Sequence, residues 1–157
     1  VESRSLPDAE YDERLGVPLR WWVQGTMLVA TLWLAVVVAL PGSVAWAVTA
    51  VAMALLAGVF LSYGSARVSV RDGVLTAGRA RIEAAHLGAA EALDADATRR
   101  TAGREADARA FLLLRPYLKR AVKVAISDPA DPTPYWLVST RHPEELAAAL
   151  NARRTAG

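Results

Sequence analysis

Hydrophobic and polar positions follow three different rhythms along this chain. From Trp21 to Ala66 there is no rhythm at all. The run WWVQGTMLVATLWLAVVVALPGSVAWAVTAVAMALLAGVFLSYGSA contains no Asp, Glu, Lys, Arg or His. A helix that faces water needs a polar stripe, whereas about 20 apolar residues suffice to cross a bilayer. The run holds two such crossings, residues 21–40 and 44–63, divided by Leu40-Pro41-Gly42-Ser43. The pattern therefore predicts a two-helix transmembrane hairpin over residues 21–66.

After Ala66 the period becomes two. Val68 and Val70 alternate with Arg67, Ser69 and Arg71, and Asp72-Gly73 leads into Val74-Leu75-Thr76-Ala77. Asp-Gly between apolar runs signals a β-hairpin. Further strands are predicted at residues 81–84, 89–93 and 110–115, the last ended by Pro116, and at 120–126 and 135–140. In 120–126, Val122, Val124 and Ile126 share one face and Ala121, Lys123 and Ala125 the other. Residues 94–109 are polar and read as a mobile loop carrying Arg99, Arg100 and Arg104, and residues 128–134 read as a rigid proline-rich loop. At Pro143 the period shifts to 3.6. Pro143-Glu144-Glu145 opens a helix, with proline and acids in its first turn, and Leu146, Ala149 and Leu150 form its apolar stripe. This helix is predicted over 143–153, fraying from Asn151. About seven short strands and a closing helix predict a small barrel or two packed sheets. The predicted fold class is thus an α+β membrane protein: a helical hairpin, then a mainly β domain over 67–157 with a C-terminal helix.

The head, residues 1–20, is acidic: five acids against three arginines. Its first ten residues read as disordered, and Tyr11 to Leu15 as a turn of helix broken by Gly16 and Pro18. Ala45-Trp46-Ala47 matches a signal-peptidase pattern. The apolar run is longer than a signal core, its lead-in is acidic and a second span follows at once, so the segment reads as an anchor. Arg14 and Arg20 precede the hairpin, Arg67 and Arg71 follow it, and the connecting turn is uncharged. The positive-inside rule then places both termini in the cytoplasm of a multi-pass cell-membrane protein. Trp21, Trp22 and Tyr63 fall at one interface and Trp46 near the other. Small residues at spacing four, Thr31, Ala35 and Ala39 on one span and Ala50, Ala54 and Gly58 on the other, suggest a packing seam. The absence of ionisable groups from the spans counts against an autonomous transporter or channel.

Tyr11-Asp12-Glu13-Arg14-Leu15 with Pro18 and Trp21-Trp22, the hairpin, and the stretch PTPYWLVSTRHPEEL at residues 132–146 resemble an actinobacterial two-span membrane-protein family of unknown function. The order of strands and closing helix in the tail resembles the pleckstrin-homology-like domains of bacterial membrane proteins. The resemblance implies a membrane location and such a tail, and brings no activity with it.

The chain has no cysteine, which excludes disulfides, thiolate metal sites and cysteine nucleophiles. His142, Ser139 and Asp128 or Asp131 invite comparison with a hydrolytic triad, but no G-x-S-x-G is present. His142 reads better as the residue leading into the last helix. His86 stands alone, which argues against zinc, and the spacing of Asp128 and Asp131 does not fit a calcium loop. No glycine-rich phosphate loop occurs, so no cofactor or metal is expected. The tail carries fifteen basic residues against eleven acids. That excess is too small to point to nucleic acid but suits anionic lipid headgroups. Two basic groups are candidates for lipid contact: Arg67, Arg71, Arg79 and Arg81, and Arg115, Lys119, Arg120 and Lys123. Tyr117, Tyr135 and Trp136 are candidate anchors for a protein partner, with one of Tyr135 and Trp136 expected in the core because neighbouring strand residues face opposite ways. The expected function is a non-enzymatic binding or accessory module at the cytoplasmic membrane surface, its partners lipid and a further membrane protein. The alternative is a subunit of a membrane-linked enzyme or transport complex.

Overall fold

The computed structural model describes residues 10–156. The disorder expected of the first ten residues concerns positions 1–9, outside that range, and Glu10. The chain divides into two compact units: residues 16–65, and a second unit made of the segments on either side of them.

The first unit is a pair of helices, α1 (Leu19–Ala39) and α2 (Gly42–Gly64). Pro18 and Pro41 stand immediately before them, where a fixed φ and a missing N–H cost nothing. At 1.5 Å per residue they are about 31 and 34 Å long, and both are long and apolar enough to span a membrane. Only Val29, Ala45 and Gly64 are buried in them.

The helices touch along a seam different from the one their small residues suggest. Thr31, Ala35, Ala39, Ala50, Ala54 and Gly58 are all exposed. The contacts run instead through Trp22 against Phe60, with ring centroids 5.0 Å apart, Trp33 against Trp46 at 5.7 Å, and Gly25 beneath Leu56. A Cβ on Gly25 would lie 2.9 Å from a Leu56 methyl, so glycine here is what lets the large side chain in. Only Leu40 and Pro41 separate the helices, so residues at equal depth have index sums near 81, as Gly25 and Leu56 do. The seam differs by rotation: each helix turns its aromatic rings, and not its row of small residues, toward the other.

Among its described residues the second unit holds eight strands in two four-stranded sheets, in order β1-β2-β3-β4 and β5-β7-β8-β6. The strands are β1 (Tyr11–Arg14), β2 (Arg67–Arg71), β3 (Val74–Ala77), β4 (Ala80–Glu83), β5 (Leu87–Leu93), β6 (Phe111–Leu113), β7 (Ala121–Ile126) and β8 (Tyr135–Ser139). Of the two arrangements expected, the small barrel is not the one seen: the described residues form two separate sheets, with no closed barrel among them. Most neighbours are antiparallel, but β6 runs parallel to β8. Asp72 and Gly73 make the predicted two-residue turn, both with positive φ (48° and 73°), the primed-turn geometry that suits strand twist.

Two segments differ from expectation. Residues 11–14 form a strand, not a helical turn. β1 pairs with β2 in the register Tyr11↔Val70, Asp12↔Ser69, Glu13↔Val68 and Arg14↔Arg67, and Leu15 N–H adds a bond to Ala66 C=O at 2.9 Å. Within the polar stretch read as a loop, α3 (Ala95–Ala102) forms, its N-terminus capped by the Asp94 carboxylate accepting from Ala97 N–H at 2.7 Å.

The main core collects Tyr11, Leu15, Val68, Val70 and Leu75 from the first sheet, and Val122, Val124, Trp136 and Val138 from the second. Leu146, Ala149 and Leu150 join them from the last helix, α4 (Pro143–Ala156). A smaller cluster, Leu93, Ala121, Tyr135 and Leu137, lies on the other face of the second sheet, with Ala97 and Ala102 of α3 packed against it. β8 is therefore covered on both faces, and all five of its residues are buried. α4 continues past its expected fraying point because Asn151 is anchored. Its amide accepts from Ala90 N–H (3.1 Å) and donates to Ala90 C=O (2.9 Å), filling an irregularity in the β5 ladder.

Candidate functional site

Strand parity in β1 points Tyr11 and Glu13 inward and Asp12 and Arg14 outward. An inward carboxylate must be paired or hydrogen-bonded, and Glu13, 9 % exposed, is both. Its Oε2 accepts from Thr140 Oγ1 at 2.5 Å and from Tyr11 OH at 2.7 Å. Its Oε1 accepts from Arg141 N–H at 3.0 Å and lies 3.4 Å from Arg141 Nη1. The same guanidinium donates to the Arg14 carbonyl at 3.1 Å, and His142 N–H donates to Thr140 Oγ1 at 3.0 Å. The strand before the helices is thus bonded to the residues just ahead of α4. Both segments are among those that carry the family resemblance.

Burial by itself raises the pKa of a carboxyl group. At Glu13 the bonds from Thr140, Tyr11 and the Arg141 amide, with the Arg141 charge, more than offset that and hold it below the ordinary carboxylate value. Tyr11 is pushed well above the ordinary phenol value, mainly by burial, so its hydroxyl keeps its proton and remains a donor.

Tyr11 and Glu13 also line an open cleft of about 430 Å³ whose remaining walls are Glu10, Asp12, Arg14, His142 and Glu145. The His142 ring reaches Glu145, with Nδ1 3.6 Å from Oε1. Its carbonyl accepts from Leu146 N–H at 3.1 Å, as expected of a residue leading into a helix. The residues of the triad comparison do not assemble. Ser139 is fully buried and accepts from Arg115 N–H, Asp128 lies 4.0 Å from His86, and Asp131 receives Thr133 N–H. The Thr133 bonds hold Asp131 below its ordinary pKa. Among the described residues no three His, Asp or Glu side chains are grouped so as to hold a metal ion.

The three aromatic candidates are not available as surface anchors. Tyr117, Tyr135 and Trp136 are 8 %, 8 % and 5 % exposed. Tyr117 OH donates to the Leu15 carbonyl at 2.7 Å, Tyr135 OH accepts from Asp107 N–H at 3.1 Å, and Trp136 packs against Phe111 with centroids 4.7 Å apart and the rings tilted at 45°. Both Tyr135 and Trp136 are core residues because α3 covers the second face of the sheet, a helix that the sequence reading had as a loop.

The two basic groups are placed differently. Arg67, Arg71 and Arg81 share the outward face of the first sheet, and Arg79 is exposed in the β3–β4 turn. Arg71 is bonded to Asp12 at 2.6 Å. In the second group, Lys123 Nζ sits 4.6 Å from the centroid of the Tyr135 ring, and Arg120 bonds the Arg141 carbonyl at 2.6 Å and approaches Glu144 at 3.9 Å. Arg115 turns back on the Leu114 carbonyl at 3.2 Å, and Lys119 is exposed on the loop before β7. Much of the second group therefore serves the fold. Glu13, Thr140 and Arg141 were not singled out by sequence. The signal was present in the alternation Tyr11, Glu13, Leu15, which only a partner strand turns into an inward face.

A family model described as "Protein of unknown function (DUF3093)" matches residues 10–150, and the chain belongs to that family. No curated protein and no solved structure matches it.

Proposed function

We propose that this member of a family without an assigned activity is a membrane-anchored, non-enzymatic binding module. α1 and α2 cross the bilayer as a hairpin, and the β unit works at the cytoplasmic surface on lipid or on another membrane protein. The observation that carries the reading is the β1–β2 pair. One strand precedes the helices, the other follows them, and the two are hydrogen-bonded neighbours. The helical pair is thus a long excursion between adjacent strands of one sheet, which supports both helix ends lying on one side of a membrane. The lateral surface of the helices supports lipid as their solvent: Leu28, Val38, Leu55 and Leu61 are exposed, Val38 at 87 %. Arginines at the outer ends of the hairpin and none in its turn support a cytoplasmic β unit.

The chain lacks cysteine, so single cysteines report position cleanly. Ser43→Cys at the turn and Ser69→Cys on β2 are treated with a membrane-impermeant maleimide on intact cells. Ser43→Cys should label at once and Ser69→Cys only after permeabilisation. Labelling of both before permeabilisation, or recovery of the protein in the soluble fraction without detergent, would refute the reading.

A further inference from the structure

An open sheet ends in strands whose outer main-chain groups face no neighbouring strand, and here those strands are β1, β4, β5 and β6. The fold occupies two of these edges itself. On β1 the Arg14 carbonyl accepts from the Arg141 guanidinium at 3.1 Å. On β5 the Asn151 amide takes both main-chain groups of Ala90, at 3.1 and 2.9 Å. β6 is only three residues long. β4 remains. Ala84 N–H bonds the Gly73 carbonyl at 2.6 Å, and Ala77 faces Ala80 as Leu75 faces Ile82. Main-chain groups alternate sides along an antiparallel strand. Ala80, Ile82 and Ala84 therefore turn theirs to β3, and Arg81 and Glu83 turn theirs to the open side. Both of these side chains are exposed, and among the described residues neither has an ion-pair or hydrogen-bond partner.

An edge with charges of one sign repels a second copy of itself. β4 carries one of each sign, two residues apart. When two copies of β4 lie antiparallel about Ile82, Arg81 of each stands opposite Glu83 of the other. These are the same two residues whose main-chain groups face outward, so each Arg81–Glu83 pair exchanges both of its main-chain hydrogen bonds beneath a pair of opposite charges. Sliding the copies by two residues either way sets Arg81 against Arg81 or Glu83 against Glu83, so the charges select one register. We propose that β4 is a homodimer edge: a second copy of this chain pairs with it through residues 81–83 and joins the two first sheets into one. The short helical turn Ala84–His86 ends the strand just after Glu83 and limits the pairing to this stretch. A contact so short makes a reversible dimer and not an obligate one.

The test uses the full chain purified in a neutral detergent, its mass followed by sedimentation equilibrium across a concentration series. The wild type should pass from monomer to dimer. Arg81→Glu sets like charges opposite one another and should raise the dimer dissociation constant about tenfold. The double variant Arg81→Glu/Glu83→Arg exchanges the two signs and should return it to within about twofold of wild type. A second variant reads the main chain. Glu83 has φ −73°, which proline adopts without strain, and its N–H faces away from β3. Glu83→Pro therefore removes an intermolecular donor and no internal one, and should abolish the dimer while melting as the wild type does. If Glu83→Pro melts lower, the charge exchange decides alone. A wild type that stays monomeric at its highest soluble concentration would overturn the edge. So would a dimer that Arg81→Glu or a normally melting Glu83→Pro leaves intact, or one that the double variant fails to restore, because the copies would then meet elsewhere. The pairing involves β4 alone, so it stands or falls apart from the cysteine-labelling result.

Discussion

In the β unit the large apolar side chains are inside, and Leu15, Val68, Leu137 and Leu146 are almost fully buried. In the helical unit they are outside, and Leu19, Met27, Leu28 and Val38 are each well over half exposed. The β unit is organised by removing apolar surface from water. The helical unit cannot be, because two helices in contact hide one narrow seam each. On the bilayer reading proposed above, helix association comes from shape, as at Gly25 and Leu56, and from ring contacts such as Trp22 with Phe60. On that reading one chain carries two stability mechanisms, and substitutions should have different consequences in each.

The largest effect is expected from Trp136→Ala. Deleting a buried aromatic costs about 3–5 kcal/mol, enough to unfold a unit of marginal stability. Limited proteolysis in detergent should then cut the β unit while a fragment holding α1 and α2 survives. Simultaneous loss of both would show that the two units do not stand separately.

Glu13→Ala should follow, at about 2–4 kcal/mol, because Thr140, Tyr11 and the Arg141 amide lose one shared acceptor. The pH dependence has a definite sign. The folded-state pKa of Glu13 is depressed, so its stabilisation is fully present above the unfolded value of about 4.3 and is lost as pH falls through the lower folded value. The melting difference between wild type and Glu13→Gln should therefore be largest near neutrality and shrink below about pH 4. A difference that stays constant from pH 7 to pH 3 would show that Glu13 acts by packing and not by charge.

In the helical unit, Gly25→Leu should disturb the pair by about 1–3 kcal/mol through overpacking, read as lost excimer fluorescence between pyrenes on the two helices. Ala35→Leu, on an exposed position, should have almost no effect. The reverse order would restore the alanine seam. The smallest effect belongs to Arg71→Ala. Its pair with Asp12 is short but largely exposed, and such pairs contribute under about 1 kcal/mol, so thermal melting should move by a few degrees at most.

Several features could be read from the residues because their causes are local. Forty-six uncharged positions specify two long apolar helices whatever surrounds them. Asp72-Gly73 specifies a tight turn because few residue pairs accept positive φ in succession. Alternation specifies β7, and proline with two glutamates starts α4. α3 had a readable cap in Asp94, but without large apolar residues its sequence resembled a loop. Its buried side is made of Thr98 and Thr101, and it acquires a purpose only from Tyr135 and Leu137 beneath it.

The sequence by itself determined where the chain is apolar enough to leave water, where it turns and which period each segment follows, since these depend on neighbours within a few residues. Only the tertiary structure decided that Tyr11 to Arg14, a stretch with three charged residues in four, is a strand. Their partner is β2, more than fifty positions away, and nothing nearby records it. That pairing turns Glu13 inward to Thr140 and Arg141 and sets Arg14 against Arg67. A strand's faces have no meaning until a second strand and a core define them, so neither the buried carboxylate nor the facing arginines could be read from composition or spacing.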